Sequence, residues 1–141
     1  MPSASDFPAI GQVMAVDDQA VVFQPLGTRY GLRLKTASEY GGAVGQRIEG
    51  LIRAVARKLI TVPSGGNFVA PIVGPPRTIQ GRIVHLDEKQ MVVQAGTPFI
   101  VELPAEDDAI ELTHGPLAVG ALVNVALLPS PRFVPLVRAP L

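Results

Sequence analysis

His85, Asp87 and Glu88 fall close together, and His114 is the second of two histidines in the chain. Imidazole and carboxylate are donors suited to a metal centre, but such a centre needs ligands that converge, and this spacing supplies no convergence. Asp87 has a counterpart, Asp17, in an earlier copy of the same segment, where Ala15 stands in the place of His85. Acidic pairs that recur without the histidine read as turn residues, whose carboxylates bond their own backbone. Ser38, Ser64 and Ser130 have no base nearby in sequence, and no Gly-x-Ser-x-Gly is present. Gly41-Gly-Ala-Val-Gly45 lacks the spacing of a dinucleotide fingerprint and the Lys-Ser/Thr of a P-loop, so it reads as a turn into a strand. The absence of cysteine removes a thiolate nucleophile, a disulfide framework and a Cys-ligated zinc together. These residues predict no enzyme, no metal site and no cofactor.

The ordered chemistry is cationic. Twelve basic and twelve acidic side chains cancel over the 141 residues, yet nine bases and five acids lie at or before Arg82, leaving three bases and seven acids after it. Arg29, Arg33 and Lys35 share one parity against Tyr30, Leu32 and Leu34, which puts them on the outer face of a strand. Arg47, Arg53 and Arg57 oppose Ile48, Ile52 and Ala54 in the same way, and Lys58 follows. These seven cations form a candidate nucleic-acid-binding face, because outward bases neutralise phosphates. Single-strand binding ordinarily adds exposed aromatics. Here five Phe and two Tyr are the whole aromatic set. Of these, Phe23, Tyr40 and Phe68 fall near the basic face, and Phe68 reads as core.

Short strands must carry this face. Fourteen Gly and fourteen Pro interrupt the chain too often for long helices, and 48% of its residues are apolar. The segment Gly11 to Gln24 recurs as Gly81 to Gln94, Gly27 to Leu34 as Gly96 to Leu103, Val44-Gly45 as Val119-Gly120, and Phe68-Val69 as Phe133-Val134. Matches kept in order predict an internal duplication. Each copy reads as five strands. Thr36-Ala-Ser-Glu39 has the form of a capping box, which adds a helical turn between strands three and four. The predicted fold is therefore all-β: two tandem small five-stranded barrels, OB-type or SH3-like. Residues 1–10 form an N-terminal tail, 11–74 the basic barrel, 75–80 a Gly-Pro-Pro linker, 81–138 the acidic barrel and 139–141 a C-terminal tail.

The differences between the copies bear on use. The third strand of the second copy carries Pro98, Glu102 and Pro104 where the first has Arg29, Arg33 and Lys35. The first copy has a longer span before its last strand, read as a hairpin holding Arg57, Lys58 and the Gly65-Gly66 tip. In the second copy Val123, Val125 and Leu127 point into the core, which turns Leu122, Ala126 and Leu128 outward. A strand apolar on both faces is covered on both, so these three predict an interface with the first barrel or another chain. No secretory leader opens the sequence, and the two uncharged stretches, Leu59 to Pro76 and Leu112 to Pro131, are too interrupted to span a membrane. A cytoplasmic interaction module follows. It would contact a protein partner or another copy of itself, with single-stranded nucleic acid as the alternative partner.

Overall fold

Aliphatic runs between frequent turn residues fold here as strands. The computed structural model describes residues 3–37, 40–42 and 44–136. A 3-10 turn at Ala4–Asp6 leads into β1 (Ala9–Val16), β2 (Ala20–Pro25), β3 (Gly31–Lys35), β4 (Arg47–Thr61), β5 (Phe68–Ala70) and β6 (Val73–Gly74). Then come β7 (Thr78–Leu86), β8 (Gln90–Gln94), β9 (Pro98–Glu102), a 3-10 turn at Asp107–Ala109, β10 (Ile110–Glu111), β11 (Leu122–Leu127) and β12 (Arg132–Pro135). All twelve strands belong to one sheet, and the chain is all-β. The capping box expected at Thr36 to Glu39 falls partly outside the described residues.

The first hairpins of the two halves share their register. Val13 faces Phe23 and Ala15 faces Val22 across a bulge, while Ile83 faces Val93 and His85 faces Val92 across another at the same place. Each turn is closed by an aspartate, as the sequence predicts. Asp17 accepts from the Gln19 and Ala20 amides at 3.0 and 2.9 Å, and Asp87 from the Lys89 and Gln90 amides at 2.9 and 3.0 Å. Gly11 and Gly81 are required for one reason: a Cβ at either would collide with a carbonyl oxygen across the hairpin, that of Gln24 or of Gln94.

The third strands correct the sequence alignment. Leu32 faces Phe23, whereas Phe99 faces Val93, so Leu32 corresponds to Phe99 and not to Val101. The β2–β3 connection is longer than the β8–β9 connection, which shifts the pairing by two residues and preserves the inward face. Arg33 and Lys35 therefore take the places of Ile100 and Glu102.

The largest departure lies in β4. No Gly or Pro interrupts Leu51 to Val62, so nothing turns the chain at Arg57 and Lys58. The hairpin expected there is instead the second half of one fifteen-residue strand. The corresponding part of the second half does turn, because Pro129-Ser130-Pro131 breaks it into β11 and β12, with Ser130 in the left-handed region at φ 69°. The long strand has room for different neighbours along its length. Its first residues pair with β1 and then β12, and its later residues with β9, β11 and β10.

Two closed circuits of strand pairing result, and they share β4. One runs β1-β2-β3-β12-β4 and the other β4-β11-β7-β8-β9. The last strand of the chain thus sits among the first strands. Phe68-Val69, expected as the matching last strand of the first half, instead forms β5 against β7. Phe133 is buried against Phe23, with ring centroids 4.9 Å apart. Gly50 makes room, since a Cβ there would collide with the Phe133 ring.

One core runs through both circuits, from Val13, Phe23 and Leu34 through Ala54, Ala56 and Leu59 to Ile83, Phe99 and Val125. A smaller cluster lies on the outer surface of the sheet, where Ala4 and Phe7 cover Leu51, Val92 and Ile100 beside Val84. Residues that read as a tail in the sequence therefore bury the apolar outer residues of β8 and β9.

Candidate functional site

Strand alternation places the predicted cations on the outer face, where most remain accessible. Arg33 and Lys35 are exposed between the buried Leu32 and Leu34, and Arg57 is exposed beside the buried Ala56. Arg29 lies in the β2–β3 loop, and Arg47 starts β4 opposite Gln12. Two of the seven are neutralised within the chain. Arg33 bonds Asp17 at 2.6 Å, and Lys58 bonds Glu111 at 3.0 Å, which ties β10 to β4.

Strand pairing draws two of the seven together and adds a cation that the sequence reading left out. Arg132 on β12 stands opposite Lys35 on β3 and opposite Arg53 on β4. Lys35, Arg132 and Arg53 therefore form one row across three adjacent strands, about 4.8 Å apart from strand to strand. Like charges directly opposite one another are destabilising. Among the described residues, no carboxylate lies within ion-pair distance of any of the three. Alternation around the apolar Phe133 could have marked Arg132 as outward. Its neighbours could not be read, because nothing local says that β12 inserts between β3 and β4.

Beyond Arg53 the row meets Ile100 of β9. There a recess of about 290 Å³ opens between Arg53, Arg132 and Ser130 on one side and Gln90 and Glu102 on the other. The recess presents the two guanidinium groups as donors, while the Glu102 carboxylate and the Gln90 amide also line it.

The proposed interface residues separate. Leu122 is buried beneath the loop that follows β4, where Gly65 lies close and the Val62 amide bonds the Leu122 carbonyl at 2.9 Å. Beside it Gln80 accepts from Asn124 at 3.1 Å and donates to the Gly66 carbonyl at 2.8 Å. Part of the cover on this outer face therefore comes from the same chain. Ala126 is half-buried, whereas Leu128 is 40% exposed.

The acid and imidazole groups stay apart. His85 approaches Asp87 at 3.6 Å and lies against the Phe7 ring. His114 is held at the end of β4, its Nδ1 3.2 Å from the Thr61 carbonyl oxygen. Among the described residues, no three His, Cys, Asp or Glu side chains are placed to share a metal ion. Asp17 is held below the ordinary carboxylate range by the Gln19 amide and then the Arg33 guanidinium, and Asp87 by the Lys89 and Gln90 amides and then by His85.

Three of the seven aromatic rings are buried, and Phe7, Tyr30, Tyr40 and Phe68 are half-buried. Phe23, Phe99 and Phe133 are fully buried, and the Tyr30 hydroxyl accepts from the Val69 amide at 3.2 Å. No helix among the described residues is long and apolar enough to cross a membrane. The chain matches no family model, no curated protein and no solved structure.

Proposed function

We propose that this chain is a non-catalytic, cytoplasmic interaction module that grips an acidic protein surface with the outer face of β3, β12 and β4. The observation that carries the reading is the row Lys35, Arg132 and Arg53, within ion-pair distance of no carboxylate among the described residues. Three like charges held in register cost stability, and an anionic partner converts that cost into binding energy. We read the two closed circuits as small five-stranded barrels that arose by duplication, the first completed by β12 and the second by the later part of β4. The matching hairpin registers, bulges, aspartate turns and close-approach glycines support that origin.

A protein partner is favoured over single-stranded nucleic acid because no aromatic ring is fully exposed: Phe23 is buried, and Tyr40 and Phe68 are half-buried. Binding of poly-glutamate at about 50 mM salt tests the reading, with release expected by about 0.5 M, where the Debye length falls below about 5 Å. Arg53→Ala and Arg132→Ala should each weaken it. Retention by both variants would clear the row of the role. Tighter binding of oligothymidylate than of poly-glutamate, lost in the same variants, would move the assignment to nucleic acid.

A further inference from the structure

The acidic counterpart of the row lies on the same molecule. Glu106, Asp107 and Asp108 stand exposed at the 3-10 turn between β9 and β10. Among the described residues none of the three is in an ion pair. The turn hangs on the edge of β4 that pairs with β9 and β10, whereas β12 and β3 lie beyond the opposite edge. Arg132 and Lys35 are thus one and two strands further away, about 5 and 10 Å at ordinary strand spacing. Within one chain, then, three exposed carboxylates and three unneutralised cations remain apart.

We propose that the occupant of the basic row is the Glu106-Asp107-Asp108 turn of a second copy of this chain. Three negative charges meet three positive ones, and the guanidinium groups of Arg53 and Arg132 donate charge-assisted hydrogen bonds to the incoming carboxylates. Glu111 is not part of the plug, because Lys58 already holds it against β4. The two docking surfaces differ, so the contact is heterologous and either closes into a ring or extends along a filament. This inference rests on the row being the binding face, as argued above, and adds the identity of what binds there.

The test is light-scattering mass after size exclusion, on the full chain, at low and at high salt. Wild type is expected to elute at a multiple of the chain mass at about 50 mM salt and to fall to the single-chain mass at about 0.5 M. The double variant Arg53→Glu with Arg132→Glu should be monomeric at both, and so should Asp107→Lys with Asp108→Lys. Mixing the two variants in equal amounts should raise the mass to at least two chains, since the acidic turn of one meets the basic row of the other. That rise also shows that both variants fold.

Multimers that persist in either double variant, or a mixture that stays monomeric, would overturn the proposal. A monomeric wild type that still binds poly-glutamate overturns self-docking and leaves the basic face as the binding site. A monomeric wild type that binds no poly-glutamate overturns both.

Discussion

Arg53 and Arg132 stand directly opposite each other on the antiparallel strands β4 and β12. Their juxtaposition follows from the place of β12, which pairs with both β3 and β4 and so closes the circuit of the first strands. Opposed like charges lower stability by a few tenths to about 1 kcal/mol. Arg132→Ala should therefore raise the urea midpoint slightly while weakening poly-glutamate binding, the trade expected of a functional residue. A variant that loses both stability and binding would point to a packing role instead.

Phe133 tests the placement of β12. Its ring is buried on Phe23 and fills the space left by Gly50, both far from it in sequence. Phe133→Ala should cost about 3–5 kcal/mol, read from denaturant unfolding. A loss below about 1 kcal/mol would mean that β12 does not complete the first core.

The acid response of Asp17 has a definite sign. Its folded pKa lies below the ordinary carboxylate value, held there by the Gln19 amide and then Arg33. A depressed pKa stabilises the fold above the unfolded value, near pH 4, and that contribution is lost as pH falls through the lower folded value. The melting temperature of wild type should exceed that of Asp17→Asn at pH 7. The gap should close as pH drops below about 4. A gap that stays constant down to about pH 2 would show that the charge on Asp17 contributes nothing.

Leu122 and Leu128 should behave oppositely although both were read as outward. Leu122→Asp buries a carboxylate under the Gly65 loop without a partner, so the folded yield should fall sharply. Leu128→Asp alters a side chain that is 40% exposed and should change stability by no more than about 0.5 kcal/mol. If Leu122→Asp melts like wild type, the loop does not seal that face.

Much of this fold is legible in local sequence. Alternation around Leu32 and Leu34, the aspartate turns at Asp17 and Asp87, and the recurrence of Gly11 as Gly81 all follow from contacts within one hairpin. The pairing of distant segments is not legible in the same way. Continuity of Arg47 to Thr61 could have been inferred from its lack of breakers, just as Pro129-Ser130-Pro131 announces a turn. Which strand lies beside which was decided by long-range packing, in which Phe133 finds its space only beside Gly50 and Phe23. The site shares this limit. All seven predicted cations belong to the first half; six are exposed and Arg53 is half-buried, while Arg33 and Lys58 are claimed by Asp17 and Glu111. Arg132, by contrast, became visible only when the strand order was known.

The most direct measurement is an amide NMR titration of wild-type protein with a short oligo-glutamate at low salt. The row predicts that the shifted resonances cluster at Lys35, Arg53, Ser130 and Arg132, with the hairpin at Asp87 unmoved. Shifts centred on another face, or none at saturating peptide, would contradict the basic row as the place where this protein binds.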